Sequence, residues 1–430
     1  MRRFQDDLTV AIETMLRLTI VVSTLLSAIV SPAAATAEAV RSAAEQRTGS
    51  TGDSQAAVKA TVVYLGKRYP EPPPLSLLDK VWTDEGLQGA RIALKENNMT
   101  GRLLQQSHEM IEAVLPEEGD VALRARELLA AGHRLLLADL EKPDLLAVAA
   151  LPDAADAIIL NIRASDDELR GEECRRNVFH IIPSHAMRAD ALAQYLLWKK
   201  WRNWTLIVGR YPADQQYAKA VRRAASRFGA KIVEERSYAY DAGSRRTDSG
   251  HQQVQTQMPM LTQGMPAHDV VVVADIGEAF GEYLTYRTSE PRPVVGTHGL
   301  QAVAWHRSFE QYAGTQMQNR FERLAGRVMT ERDYTGWLGT RVFGEAVTRI
   351  AKSSAADIRA YILSREFEVA AFKGQGLTFR NWDQQMRQPI LLSGPRALVS
   401  ISPQDGFLHP KFSTDTLGYD EPETACRFAK

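Results

Sequence analysis

The chain has little cysteine: Cys174 and Cys426 are the only two in 430 residues. A densely stapled disulfide scaffold is thereby excluded, and at most one intramolecular bridge can form. Neither charge is in excess, because 52 Lys and Arg balance 52 Asp and Glu. Without a global field, nucleic acid and anionic membrane surfaces are not expected partners, and any bound anion must be held by a local cluster. Beyond residue 30 no apolar run approaches the roughly 20 residues that span a bilayer. Catalytic signatures are missing too: no nucleophile elbow, P-loop, HExxH, CxxC pair or convincing carboxylate dyad appears. GTHG at 296–299 is too short for a phosphate loop, and His268–Asp269 opens a strand where burial is the simpler reading. An enzyme is not expected.

What is present begins with apolar content. At 44% hydrophobic, the chain can fill the cores of two ordinary domains. Near the N-terminus, Arg17 precedes an apolar core from Leu18 to Val30, followed by small residues from Ala33 to Ala37. That order is a secretory signal peptide over residues 1–37, with cleavage near Ala35 or Ala37 and Met15 as an alternative start. A membrane anchor is the competing reading, and its apolar core is too short. In an oxidising compartment Cys174 and Cys426 can pair, tying the C-terminal tail to mid-chain; two free buried thiols are the alternative. No lipobox-like cysteine follows the leader, so a soluble protein is expected.

Residues 38–59 are small and polar and read as a disordered linker. Order starts with the strand TVVYL at 61–65, then a proline-fixed loop, KRYPEPPP. Thr83 or Asp84 caps a helix, DEGLQGARIALKENN. A strand from Leu103, VALRARELLAAG as helix, HRLLLADL as strand, PDLLAVAALPDA as helix, DAIILNIRA and Val178–Ile182 as strands complete one alternating set. Such alternation predicts a parallel sheet covered on both faces. Residues 192–238 then supply a complete helix, strand, helix, strand unit. Within it Thr205–Val208 is a buried strand, and a helix from near Asp214 carries Tyr217, Ala218, Val221, Ala224 and Phe228 and stops at Gly229. DAGSRRTDSGHQQ reads as a surface loop, and HDVVVVADIGEAFGEYLTYR and RPVVGTHGL continue the second set. After Glu310 the pattern is helical, then FKGQGLTFRNWDQQMRQPILLSGPRALVSISP gives a bend at Gly374 and Gly376 and two extended segments around Ser393–Pro395.

The first helix DEGLQGARIALKENN, the unit ALAQYLLWKKWRNWTLIVGRYPADQQYAKAVRRAASRFGAKIVEE and the late FKGQGLTFRNWDQQMRQPI segment resemble the bilobed type I periplasmic solute-binding proteins of ABC transporters, in their branched-chain amino-acid-binding branch. The resemblance covers roughly residues 60 to 410. It implies an α/β fold of two parallel-sheet, Rossmann-like lobes with three crossings, near Ser184, Ser308 and Phe379. Lobe 1 is then 60–184 with 308–378, and lobe 2 is 185–307 with 379–430. SLLDKVWTDEGLQGARIALKENNMTGR, FGEYLTYRTSEPRPVVGTHGL, AWHRSFEQYAGTQMQNRF and SPQDGFLHP are similar to the narrower set of binding proteins associated with PQQ-dependent alcohol oxidation. That implies an exported binding protein that delivers to an ABC permease a ligand linked to that metabolism; the candidate is pyrroloquinoline quinone (PQQ), a planar tricarboxylate, bound by a periplasmic monomer with no cofactor needed for activity. A branched-chain amino acid or other small carboxylate, or a PQQ chaperone or sensor role, is the alternative.

In such sheets ligands sit beyond the carboxyl ends of strands. Those positions hold Lys67, Arg68 and Tyr69; Glu141 and Lys142; Arg163 and Ser165; Arg210 and Tyr211; Asp275; and His298, Trp305 and His306. Three of these ends place a base beside Tyr, Ser or a carboxylate, a chemistry suited to an anion gripped by charge-assisted hydrogen bonds. Loop bases are more often simply solvated. Trp305 is the expected stacking surface for an aromatic ligand, the alternative being packing at the hinge. Trp198, Trp201 and Trp204 are read as structural. Lys142, if desolvated, could add reversibly to a quinone carbonyl.

Overall fold

Five strands of the first alternating set, β1 (Val58–Lys67), β2 (Gln106–Leu115), β3 (Leu135–Asp139), β4 (Ile158–Asn161) and β5 (Val178–His180), form one parallel sheet. Their order is β2-β1-β3-β4-β5. The structure, a computed structural model, describes residues 57–71, 80–239 and 248–428. The expected leader, 1–37, and residues 38–56 of the expected linker lie outside the described residues, as do 72–74 of the proline-fixed loop and 241–247 of the expected surface loop; Val58 and Lys59, expected at the end of the disordered linker, are instead the first residues of β1. Residues from Asp248 of that loop belong to a helix, Asp248–Thr262.

Central strands are apolar on both faces because helices cover both. In β3, LLLAD, every residue is buried, as a strand packed on both sides requires. Helix α1 (Leu87–Gly101) lies on one face against α9 (Glu331–Ile350). The approach is close: a Cβ on Gly89 would stand 1.7 Å from the Asp333 carbonyl oxygen. Only glycine permits it. The cap of α1 is Gly86 at φ 77°, not Thr83 or Asp84. Asp84 instead accepts from Gln88 and pairs with Arg327. Helices α2 (Val121–Ala130) and α3 (Lys142–Ala149) contribute to the core on the other face.

The second sheet takes β6 (Asn203–Val208), β7 (Lys231–Ser237), β8 (Val270–Ala274), β9 (Val294–Gly296) and β10 (Leu300–Val303), and later β14 (Ile390–Ser393) and β15 (Leu398–Ser402) as antiparallel additions. The VVVVA of β8 is wholly buried at its centre. Helices α4 (His185–Trp198) and α5 (Pro212–Phe228) share one core with it. Gly229 ends α5 at φ 80°, the left-handed cap its position predicts. Further helices are α6 (Asp248–Thr262) and α7 (Gly281–Arg287) on this lobe, and α8 (Gly314–Ala325) and α10 (Ala355–Ile362) with α9 on the first. Strands β11 (Val369–Ala370), β12 (Gly376–Phe379) and β13 (Met386–Arg387) make a small sheet. Of the three tryptophans in the 192–238 unit, Trp204 is buried and Trp198 is 56% exposed, stacked on Tyr195.

The chain passes between the sheets three times. The first passage is Ile181–Ser184, and the second follows Val303, since Ala304, Trp305 and Phe309 belong to the first lobe's core. The third lies at Gln388–Pro389, because Phe379 and Met386 pack in that same core while Ile390 packs in the other. The second and third therefore differ from the expected Ser308 and Phe379 by a few residues and about ten. The passages are tied to one another. Gln388 Nε2 donates to the Ile181 carbonyl at 2.6 Å, and the Lys373 amine donates to the carbonyls of Ala304 and of Pro389, the latter at 3.3 Å.

Candidate functional site

Between the two sheets, beyond the carboxyl ends of their strands, lies a cleft of about 650 Å³. From the first lobe come Glu141 and Lys142 at the start of α3, Arg163, Ser165 and Asp166 after β4, and Glu331 and Arg332 at the start of α9. From the second come His185 and Arg188 of α4, Gln216 and Tyr217 of α5, Asp275 and Glu278 after β8, and Thr297, His298 and Gln301 around β9 and β10. Of the residues expected from sequence, Glu141, Lys142, Arg163, Ser165, Asp275 and His298 line this cavity.

Charge there is paired rather than free. Arg163 sits 3.5 Å from Asp139 and 3.9 Å from Glu141, with its guanidinium 4.7 Å from the ring of Tyr69. Asp139 also accepts from the Tyr64 hydroxyl at 2.8 Å and pairs with Arg332 at 3.4 Å. Arg332 reaches Glu71 and Glu85 as well; desolvation works against its charge, but these carboxylates raise its pKa overall. Burial pushes Glu141 upward from the usual carboxylate range.

Lys142 is 3.1 Å from Glu173 and 3.8 Å from Glu168. Desolvation pulls its pKa down, yet the hydrogen bond and charge of those two carboxylates outweigh it and the net shift is upward. A protonated amine has no lone pair, so the expected addition to a quinone carbonyl is not supported by this geometry. Asp275 is likewise committed. Its carboxylate accepts from the backbone of Ala279, Phe280 and Gly281, at 2.9, 2.8 and 2.6 Å, and thereby caps α7. Three of its roughly four acceptor positions are thereby taken, so its side chain serves the structure of the cleft wall first.

The other expected residues stand outside the cavity. Lys67 and Tyr69 both bind Asp144, at 3.2 and 2.7 Å, so they support Arg163 from behind. Arg68 is exposed. Arg210 is exposed beside the Tyr211 ring, and Tyr211 packs against Gly277 at the head of α5. Trp305 is 2% exposed and stacks on Tyr334 at 4.7 Å and 8°, which makes it a core residue at the hinge. His306 bonds Ser308 at 2.7 Å on the first-lobe side of the same passage. A strand-end rule that counts residues forward fails here because the chain has already left the cleft.

Sequence reasoning missed His185, Arg188, Tyr217, Glu331 and Arg332. All are on helices, and four of them lie within the first turn of α4 or α9, after the caps Ser184 and Thr330. Those caps were the available signal. Tyr217 belongs by its spacing to the apolar face of α5. Its ring meets His185 edge-on at 5.9 Å. Burial, with Arg188 and Arg170 adding to it, pushes His185 down to about 3, so the imidazole is neutral; burial pushes Tyr217 up to about 12. Behind them the buried Arg170 ties the loop after β4 to the hinge, donating to Ala164, Asp166, Ile182 and Gln385. The cleft can thus offer a flat ring contact, a hydroxyl, and paired bases able to exchange a carboxylate partner for a ligand.

Residues 85–393 match the sequence pattern described as periplasmic binding protein. The chain belongs to that family. No curated protein matches it. Among solved structures, the periplasmic ligand-binding protein of a branched-chain amino acid ABC transporter from Burkholderia xenovorans is similar, with a TM-score of 0.64 at 14% identity over 87% of this chain and 100% of that one. A solute-binding protein from R. palustris in complex with benzoate matches with TM-score 0.56 at 11% identity, over 87% and 100%. Another, from Rhodopseudomonas palustris BisB5 with 3,4-dihydroxybenzoic acid, matches with 0.54 at 12%, over 80% and 97%. At such identities these likenesses establish the fold of this periplasmic binding protein. No helix among its described residues is long and apolar enough to cross a membrane.

Proposed function

We propose that this periplasmic binding protein captures a small aromatic carboxylate between its lobes and presents it to an ABC transporter, with PQQ as the ligand to test first. The observation that carries the reading is the convergence of Arg163, Arg188, Arg332 and Lys142 on one cleft that also holds the His185–Tyr217 ring pair. A carboxylate needs cationic forks, and a planar ring needs a ring edge or face. The benzoate and dihydroxybenzoate complexes of two structural relatives are consistent with it. Delivery needs no catalytic step, only lobe closure around the ligand.

A second reading has its own support. Glu141, Asp166, Glu278 and Glu331 line the same cavity, and a carboxylate is what an amino-acid ammonium requires. Calorimetric titration with PQQ, benzoate and leucine separates the two. Submicromolar PQQ binding, about 8 to 10 kcal/mol, is expected. Leucine binding more tightly than either aromatic acid overturns the aromatic reading.

A further inference from the structure

The segment after β15 runs back across the molecule and is anchored on both lobes. On the second, Leu417 lies within the core beneath α4 and α5. The buried Asp190 of α4 accepts from the Gly418 backbone at 2.8 Å and binds Arg223 and Arg227 of α5 at 3.0 and 2.7 Å. Both arginines donate to the Gly418 carbonyl, at 2.9 and 2.7 Å. On the first lobe, Cys426 forms a disulfide with Cys174, and the Thr424 hydroxyl donates to the Arg170 carbonyl at 3.4 Å.

Position decides what this connection does. Cys174 stands on the loop between β4 and β5, whose Ser165 and Asp166 line the cleft and whose Glu173 holds Lys142. It is attached to a cleft wall, whereas the three chain passages are tied together at the hinge. Rotation about passages at the hinge stretches them little, but it must separate a wall of one lobe from a helix of the other. Slack is small. Glu423 still meets Arg223 at 3.2 Å, leaving two residues, Thr424 and Ala425, before the bridge, a span of about 11 Å over three Cα steps when fully extended. On the same side Lys219 of α5 reaches Glu168 of that loop at 3.4 Å.

We propose that residues 415–426, closed by the Cys174–Cys426 disulfide, are a clamp that limits how far the two lobes separate. Hinge closure in this fold then operates over a bounded range, and the ligand-free protein is held partly pre-organised, which lowers the ordering cost of binding.

The test measures lobe separation without ligand, so it stands apart from the ligand reading. Spin labels carried by keto amino acids replace Leu103 on the first lobe and Tyr286 on the second, both at least 80% exposed, and pulsed dipolar spectroscopy reads their distance distribution. Two variants are compared with the oxidised protein: Cys174→Ser with Cys426→Ser, which opens the bridge, and Arg223→Gln with Arg227→Gln, which leaves the bridge but loosens the second-lobe anchor by removing its ion pairs with Asp190. Both are expected to shift the distribution to longer distances and broaden it. Unchanged distances in a folded Cys variant overturn the clamp. Widening in the Cys variant alone supports the bridge as the limit and means that Leu417 and Asp190 hold the second-lobe end without the two arginines. Should the Cys variant fail to fold, the Arg pair decides, and its unchanged distribution is the overturning result.

Discussion

Arg188, on the first helix of the second lobe, reaches Glu331, at the start of α9 in the first, with Nη2 2.9 Å from the carboxylate. The pair crosses the cleft at its hinge end, and each partner also grips the second passage: Arg188 donates to the Ala302 carbonyl at 2.9 Å, and Glu331 accepts from the Ala304 backbone. Both side chains are mostly shielded, at 12% and 24% exposed, so the pair counts for more than a surface bridge. Arg188→Met should favour separated lobes and weaken ligand binding about tenfold, or ~1.4 kcal/mol. Calorimetry with the best-binding ligand checks it. Unchanged affinity would mean that the pair plays no part in closure.

Lys373 gives the hinge a pH dependence. Its amine is buried between the Tyr334 and Phe309 rings, and burial, opposed by Glu331, pushes it from 10.5 down to about 7. The unfolded chain therefore holds a proton there between pH 7 and 10.5 that the folded chain has lost, so stability rises with pH across that window. Below pH 7 both states carry the proton and the penalty is constant. Relative to Lys373→Met, wild-type urea-unfolding free energy should climb between pH 7 and 10 by at most about 4 kcal/mol. A flat difference would place the amine's folded pKa near its ordinary value.

Asp333 joins the N-terminal ends of the first lobe's helix pair, α1 and α9. Fully buried, it accepts from the backbone of Thr330, the N-cap of α9, and from the Gly86 backbone, each at 3.0 Å, and binds Arg327. Asp333→Ala would leave the Arg327 charge buried with only the half-exposed Asp84 and would break the Asp333 half of the α9 capping box, the Thr330 half remaining. The expected cost is about 3 to 5 kcal/mol, read by chemical denaturation. Asp84→Ala, touching the same arginine from the exposed side, should cost about 1 kcal/mol or less.

How much of this was legible in the sequence follows from the range of each signal. The strand and helix alternation, the apolar runs of β3 and β8 and the Gly229 stop are local, and the structure has them. The cleft was half legible: Lys142, Arg163, Ser165 and His298 follow strands directly and do line it. Trp305 and His306 also follow a strand directly, yet that strand leads into a passage, and which lobe a residue joins after a passage depends on cores assembled from distant segments. Likewise Asp275 reads as a ligand group until the three backbone N–H groups that occupy it are seen. Arg188, Glu331 and Arg332 lie at helix starts brought together only by the bilobed arrangement.

The balance of charge in the cleft makes the ligand's charge measurable through protons. Lys142, Arg163, Arg188 and Arg332 face Glu141, Asp166, Glu278 and Glu331, with Asp275 already occupied by backbone donors. An entering trianion adds negative charge beside carboxylates, which raises their pKa values; Glu141, already pushed up by burial, is the first to respond. The bound state then holds more protons than the free state, so affinity rises as pH falls. Binding of PQQ should therefore show net proton uptake near pH 6, seen as a calorimetric enthalpy that varies with the ionisation enthalpy of the buffer, and Glu141→Gln should reduce it. A zwitterionic amino acid brings its own cation for the acidic residues and should bind with no net uptake. Buffer-independent enthalpy for PQQ would mean that the carboxylates stay ionised and that its charge is met by the four bases alone.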